Sequence, residues 1–536
     1  MSTQLLVGGR IYSPTNPDAT TMAVTGGTVV WLGEERPGRA LHPDAEIIDL
    51  DGAFVTPAFV DPHVHVTAAG LQLTSLDLTG CASRDDLIDK LRAHAAIHPG
   101  HVIWATGWDE TTWDGHEPPT TSDLDVAAPG LAVYAVRIDA HSAAASTPLR
   151  EATAGLTGAP GFAPEGPLTA EAHHLVRHRA SELLSPVQRA AARTAVLDRA
   201  ASRGVVCVHE CGGPDISGLD DFLDLLGTKH GVQVRGYWGQ AVGTAAEATD
   251  LLAATGADSL GGDLFADGAI GSRTAWLTDP YAEPGIGCQH QYGRTYLDAD
   301  TMAAHLIACT EAGIQSGFHV IGDAAVTAAI DALERAEQQC GARAVAACGH
   351  RLEHVEMITR EQAGVLARLG VIASMQPVFD ALWGGPDGMY AQRLGADRAA
   401  ALNPFAMLAA TGVSLAFGSD SPVTPIDPWP MIRAAVHHQT PGSGISPRAA
   451  FSAATRGAWR AGGVRDGVAG TLVPGAPASY AVWEAGELVI SAPSNAVQRW
   501  STDPRSRVPP LPDLDAPLPV CLRTVRDGVT IYERGQ

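Results

Sequence analysis

Lysine is nearly absent: the 536 residues contain it only at Lys90 and Lys229, so almost all of the positive charge is arginine. Any mechanism that needs a lysine therefore has two candidates. Positive charge as a whole is scarce, with 36 Lys+Arg against 59 Asp+Glu and a net charge of −23. A surface of that sign repels a polyanion, so no nucleic acid partner is expected. Long apolar runs are missing too. No stretch approaches the ~18 residues that span a bilayer, and the N-terminal MSTQLLVGGRIYSPTNPD lacks the basic and apolar segments of a secretory signal. The expectation is a cytoplasmic protein with no membrane partner. The eight cysteines form no framework. Cys207 and Cys211 are the one close pair, and C-V-H-E-C is not a CxxC, so reduced thiols are expected.

What is present is globular in kind: 45% of the residues are hydrophobic and 18% charged, which rules out disorder over most of the length. The length suits three ordinary domains, or one α/β barrel with a small companion. Both ends read as short strands bounded by Gly, Pro or Asp: LLVGGRIY, TMAVTGGTVVWLG and AEIIDLDG at the start, SYAVWEAGELVIS and CLRTVRDGVTIYE at the end. Arg526-Asp527-Gly528 is a hairpin turn on composition. The ends predict one small β domain assembled from residues 1–55 and 463–536.

The middle, residues 56–462, alternates apolar runs with alanine-rich segments of helical period such as TMAAHLIACTEAG, AAVTAAIDALERAEQQ and REQAGVLARLG. The runs are AFVDPHVH, LAVYAVR, GVVCVHE, VQVRGYW, QSGFHVIG, HRLEHV, VIASMQP and SLAFGSD, with DLFAD as a ninth candidate. Parallel strands joined by crossover helices produce this alternation. Eight or nine strands suit an α/β fold of the (β/α)8 TIM-like barrel kind with insertions; an open doubly wound sheet is the alternative, though no GxGxxG or P-loop follows the first strand of the middle region. The proline-rich STDPRSRVPPLPDLDAPLP reads as an extended surface linker.

His63 and His65, in FVDPHVHVT, stand i and i+2 on a strand and so face the same way, where two imidazoles can chelate one divalent ion. His319 closes GFHVIGD and His354 closes HRLEHVE, both where strands meet loops. His350, Arg351 and Glu353 beside His354 read equally well as an ordinary polar rim. Asp420 follows SLAFGS, placed to touch a metal and its water, although Ser-Asp-Ser-Pro also suits a turn or cap.

TPAFVDPHVH, HVIGDAA, RLEHVE and GSDSPVTPIDP, in that order, resemble the amidohydrolase superfamily, specifically the branch that includes N-substituted formamide deformylases. GWDE near Trp108, R-x-D-x-H at Arg137, Asp139 and His141, FADGAIGSRTA around Asp267, and GTLVPGAPAS extend the resemblance over nearly the whole chain. It implies a metal-bearing barrel with a small β-sandwich domain built from both termini. It implies, too, that His63, His65, His319 and His354 are imidazole ligands and Asp420 the last-strand carboxylate. Many two-metal members bridge their ions with a carboxylated lysine; here Asp263, in GGDLFADG, holds the place where this branch often has a lysine. Asp is too short to stand in simply for a carboxylated lysine, and neither Lys90 nor Lys229 is well sited.

Two readings follow. One has a single ion on His63, His65, His319 and Asp420, with His354 free to hydrogen-bond the substrate. In the other, Glu210 at the end of GVVCVHE supplies the missing carboxylate; its competing role is to orient a ligating histidine, and His209 is the alternative inward residue. A divalent metal, zinc by default, would activate water, with Asp420 shuttling its proton and His354 or His141 supporting the oxyanion. Trp108, Arg137, Asp139, His141 and Arg273 are the candidates for a substrate pocket, with Phe379 and Trp383 behind them.

The expected activity is hydrolysis of a non-peptide carbon–nitrogen bond in a small-molecule amide, such as an N-acyl or N-formyl amine. A deaminase or cyclic-amide hydrolase on the same barrel is the rival enzyme; a regulatory or binding relative that lost catalysis is the rival from another class. A homo-oligomer is the base-rate assembly.

Overall fold

In the computed structural model, residues 2–110, 113–138, 142–214, 216–282, 291–490 and 508–535 are described. The chain divides into two compact units, one of Met1–His65 with Leu197–Gln536 and one of Val66–Val196.

The first unit contains two parallel sheets of four strands. One runs Ser259–Leu260, Gln233–Trp238, Val205–Gly212, Phe59–Val64, and every neighbouring pair is parallel. The other runs Gly317–Val320, Arg351–His354, Ile372–Met375, Ser414–Phe417, again all parallel. Single parallel bridges link the two sets, Leu260 to Ser316 at one side and Val64 to Ser421 at the other. The strands are buried along most of their length, as near-continuous apolar runs covered on both faces must be. Helices Ala299–Ala312, Asp323–Cys340 and Arg360–Leu369 fall on the alanine-rich segments. The last opens with a reciprocal Thr359–Gln362 capping box, which satisfies two orphan N–H groups at its start.

Strands from the two ends share one five-stranded sheet, ordered Arg10–Ile11, Phe54–Pro57, Tyr480–Glu484, Val520–Arg526, Val529–Glu533. A four-stranded sheet, Thr28–Gly33, Thr21–Thr25, Thr3–Val7, Glu46–Asp49, comes from the N-terminal end alone. Leu6, Met22, Val24, Val29, Val55, Leu472, Tyr480, Val482 and Val525 form a joint core. Asp527 and Gly528 turn the final hairpin with φ of 50° and 80°, the left-handed pair that a two-residue turn demands.

Three expectations need correction. LAVYAVR is not one of the parallel eight: Val133–Arg137 lies in the Val66–Val196 unit, in a mixed five-stranded sheet between Ile103–Trp108 and Ser142–Ala145. A buried apolar run does not reveal which sheet it will join. DLFAD forms no strand and contributes a single bridge, Phe265 to His319. The proline-rich segment, within its described part, is no surface linker: Leu511–Pro512 pairs with Leu488–Val489, and Leu511 and Leu514 are buried. Among the described residues, no helix is long and apolar enough to cross a membrane, and Cys81, Cys207, Cys211, Cys309, Cys340, Cys348 and Cys521 are free.

Candidate metal centre

The two-residue period of a strand puts Asp61, His63 and His65 on one side of the chain. Each does something different there. Asp61 Oδ1 accepts from the backbone N–H groups of His63 (3.3 Å) and Ser419 (2.9 Å), tying the first strand to the loop that carries Asp420. Burial pushes its carboxyl up to about 6, against the pull of those bonds. His63 and His65 present Nε2 to two carboxylates. His63 Nε2 lies 3.4 Å from Asp263 Oδ1 and 3.5 Å from Asp420 Oδ1; His65 Nε2 lies 3.1 Å from Asp263 Oδ2 and 3.3 Å from Asp420 Oδ1.

His319 and His354 approach the same carboxylate from the second parallel sheet. His319 Nδ1 is 3.3 Å and His354 Nε2 3.7 Å from Asp263 Oδ1. All four sequence-predicted histidines are thus gathered with Asp420, and Asp263 touches every one of the four. His354 and Asp420 adopt φ of 69° and 54°, left-handed conformations that a non-glycine residue keeps only where surrounding structure compels it.

Asp263 reaches this position because the backbone does. A Cβ on Gly261 would lie 2.6 Å from the Gly317 nitrogen, and Gly262 holds φ of 73°. The chain therefore passes closer to the next strand than any other residue would allow, and a short carboxylate suffices.

Three of the four rings are held from behind, which fixes which nitrogen faces the carboxylates. His63 Nδ1 bonds Glu353 Oε2 at 2.9 Å, His354 Nδ1 bonds the Gln376 side-chain oxygen at 2.8 Å, and His319 Nε2 bonds the Gly268 carbonyl at 3.2 Å. Glu353 is itself clamped by Arg351, with Nε to Oε1 at 2.5 Å and Nη2 to Oε2 at 2.8 Å. Arg351 donates further to the Pro62 carbonyl, Ser374 and His209 Nδ1, and its guanidinium sits 4.4 Å from the Tyr237 ring centroid. Arg351 and Glu353 form no polar rim: both are fully buried. Burial would raise the Glu353 carboxyl, but Arg351 and His63 hold it far below the usual range.

The donor set fits a divalent cation. His63 Nε2, His354 Nε2 and Asp420 Oδ1 are buried without a hydrogen-bond partner, a costly state unless something positive sits among them. Two groups have ligand atoms within 4.8 Å of one another, His63–His65–Asp420 and His63–Asp263–His354. A third, His63–Cys211–Glu353, lies on the far side of the His63 ring, and there Glu353 is committed to Arg351. Burial disfavours charge on His63 and His65. Even so, the facing groups, Cys211, Asp263 and Asp420 for His63 and the two carboxylates for His65, lift both imidazoles well above their ordinary value. Burial likewise pushes Asp263 up, yet the facing His63, His319 and His354 rings bring it well below the carboxylate range. A donor set of this kind would release protons on taking up a metal.

The other predicted residues part company here. Glu210 is buried and belongs to none of the three groups. Its Oε1 would lie 3.5 Å from a Cβ on Gly212, on the side that packs against Phe222, whereas its neighbour Cys211 meets His63. His209 stacks on Tyr237 and meets Arg351. His350 accepts from the Ser316 N–H and bonds Thr310, and burial pushes it down to about 3, so of the two histidines only His354 reaches the carboxylates. Phe379 lies parallel to the His354 ring at 6.2 Å, and Trp383 packs on Phe379 at 4.8 Å. Arg273, half-buried with φ of 58°, is on the loop that Asp267 anchors by accepting from the Trp276, Ile321 and Gly322 N–H groups.

Trp108 belongs to the Val66–Val196 unit and is packed core there, 1% exposed, with its indole N–H bonded to the Ala135 carbonyl. Arg137 pairs with Glu110 at 2.9 Å and Asp109 at 3.3 Å. Asp139 and His141 lie outside the described residues. Of the residues that sequence reasoning missed or undervalued, Asp263 had a signal in its double glycine, whereas Arg351, Glu353 and Gln376 had only the alternation of their strands.

A family model described as "Amidohydrolase family" matches residues 46–532. The chain is 28% identical over 516 residues to Protein LONG AFTER FAR-RED 3 of Arabidopsis thaliana, covering 89% of this chain and 86% of that protein. It is 23% identical over 477 residues to N-substituted formamide deformylase of Arthrobacter pascens, covering 83% and 85%. Among solved structures it resembles an uncharacterized metal-dependent hydrolase from Pyrococcus furiosus, with a TM-score of 0.74 at 25% identity over 90% of this chain and 98% of that one.

Proposed function

The chain belongs to the amidohydrolase family, and on that premise we propose that it is a metal-dependent hydrolase of a non-peptide carbon–nitrogen bond, most simply that of an N-acyl or N-formyl amine. The observation that carries this reading is the convergence of His63, His65, His319 and His354 on Asp263 and Asp420, with buried ligand atoms left unpartnered. The two parallel sheets are read as one closed (β/α)8 barrel, supported by the bridges at both of their sides and by the likeness to the solved hydrolase. The C-terminal ends of such strands are where barrel enzymes keep their chemistry, and all the ligands stand there. The sheet shared by the two termini, with the N-terminal sheet that joins its core, is read as a small β-sandwich domain.

We read the centre as binuclear. Asp263 turns Oδ2 toward His65 and Oδ1 toward His319 and His354, so with the four histidines and Asp420 it would hold the metal. The chemistry a divalent metal would supply there is a more acidic water and a polarised substrate carbonyl. The protein supplies the rest. Asp420, whose Oδ1 has no hydrogen-bond partner, takes the proton from the attacking water and returns it to the departing nitrogen. Glu353, Gln376 and the Gly268 carbonyl hold three of the rings in the tautomer that leaves their inner nitrogens bare. Phe379, parallel to His354 and continued by Trp383, offers an apolar wall to an organic substituent.

The test is elemental analysis of protein purified without chelators, paired with a screen of N-formyl and N-acetyl amines. About two ions per chain, with equimolar amine and carboxylic acid, is the expected outcome. Ammonia as product favours a deaminase; a metal-loaded protein with no turnover on any amide overturns the reading. Asp420→Asn should abolish turnover while keeping most of the metal, and wild-type rates in that variant would remove Asp420 from the proton shuttle.

A further inference from the structure

The Val66–Val196 unit contains a second cluster of imidazoles. The helix Arg84–Ile97 ends in H-A-A-I and is followed by H-P-G-H, which puts His94 in its last turn, His98 at its C-cap four residues on, and His101 three beyond. Residues four apart share a helix face, the spacing by which helical histidine pairs chelate a single ion. The His98 N–H donates to the His94 carbonyl at 3.0 Å and the His101 N–H to the His98 carbonyl at 3.3 Å, so the chain turns back and keeps the third ring beside the first two. Ring centroids are 4.5 Å apart for His94 and His98 and 5.7 Å for His98 and His101. A tetrahedral ion with metal–nitrogen bonds of ~2.0–2.1 Å spaces its imidazole centroids roughly 5 Å apart, between those two values.

The surroundings suit a cation. All three rings are half-buried and line one cavity of about 170 Å³, whose other walls include Leu71, Thr74 and Gln188. None of the three rings has a hydrogen-bond or ion-pair partner among the described residues, whereas His63, His319, His350 and His354 are each pinned by one. The carbonyls at a helix C-terminus carry partial negative charge and favour a cation there. Burial, with His98 and His101 alongside, holds the His94 imidazole below its ordinary value, and the neutral ring is the form that ligates. The nitrogens do not converge as the His63 groups do. The rings are partly exposed, so turning about χ1 and χ2 between staggered wells is the movement that would bring their nitrogens to one point.

We propose that His94, His98 and His101 form a second metal site, of three nitrogen ligands with a fourth position open to the cavity, for a borderline divalent ion of the zinc, copper or nickel kind. Three imidazoles without a carboxylate select such ions over magnesium or calcium. The site uses no residue of the His63 centre.

The experiment is calorimetric titration of the full-length protein with Ni²⁺, after production without a polyhistidine tag and stripping with a chelator, with bound nickel counted by elemental analysis. Wild type should hold one more equivalent than His98→Ala, and His94→Ala should show the same loss. His98→Gln, which keeps a side chain of similar reach, should weaken that equivalent at least tenfold with an unchanged circular dichroism spectrum. His63→Asn should retain it. Equal stoichiometry and affinity in wild type and the His94 and His98 variants would overturn the proposal, as would loss of the extra equivalent in His63→Asn.

Discussion

His63 gives its Nδ1 hydrogen bond to Glu353, 2.9 Å away and 290 positions along the chain, and that one contact decides which ring nitrogen looks toward Asp263 and Asp420. Glu353 can serve as the acceptor because Arg351 neutralises it inside the protein.

Glu353→Gln should therefore weaken metal binding by roughly 10–100-fold, the usual consequence of losing the carboxylate behind a ligating histidine. Competition against a chromophoric chelator reads this directly. Arg351→Met should act on stability instead: an uncompensated buried carboxylate costs about 3–5 kcal/mol, visible as a lowered denaturation midpoint. An Arg351→Met protein as stable as wild type would mean that Glu353 takes up a proton when it loses its partner.

Asp263→Asn should reduce metal content from about two ions to one or fewer, because an amide offers one neutral oxygen where the carboxylate offers two charged ones. Glu210→Gln should leave the content unchanged. A drop in Glu210→Gln with full loading in Asp263→Asn would return the bridging role to Glu210.

Glu356, buried beside Tyr390 and Asn403, should make the fold less stable as pH rises. Burial raises its carboxyl to about 7, above its value in the unfolded chain. For an acid shifted upward, the folded state holds the proton that the unfolded state has already released. Stability is thus fully present below the unfolded value, falls as pH climbs, and is lost by about pH 7. A displacement of that size corresponds to ~3 kcal/mol. Glu356→Gln, neutral at every pH, should match wild type near pH 4, gain on it up to about pH 7, and keep a constant advantage above that. Parallel curves across that range in denaturant titrations would contradict the assignment.

Trp108→Ala should cost about 3–5 kcal/mol of stability through the cavity it opens and the Ala135 carbonyl it abandons. Trp108→Phe should cost less and leave the KM for a turned-over amide unchanged. A raised KM in the phenylalanine variant, with stability intact, would restore Trp108 to the substrate pocket.

The four histidines and Asp420 that converge at this centre could be read in advance because each sits at the end of its own apolar run, where a local pattern suffices: FVDPHVH, GFHV, RLEH and SLAFGSD mark strand ends without reference to one another. The hairpin at Asp527-Gly528 and the alanine-rich helices were legible for the same reason. Tertiary structure alone decided the rest. Asp263 becomes the shared carboxylate only because glycines bring its backbone against the Gly317 strand. Arg351 and Glu353 turn from a rim into a buried clamp only when their strand faces His63 from the other sheet. LAVYAVR and Trp108 went to a separate unit because an apolar run fixes that a segment is buried, and not against what. Sequence determines what each residue can do within a few positions of itself; which distant groups it meets is set by strand pairing across the fold, and at this centre those meetings fix the charge and which ring nitrogen faces inward.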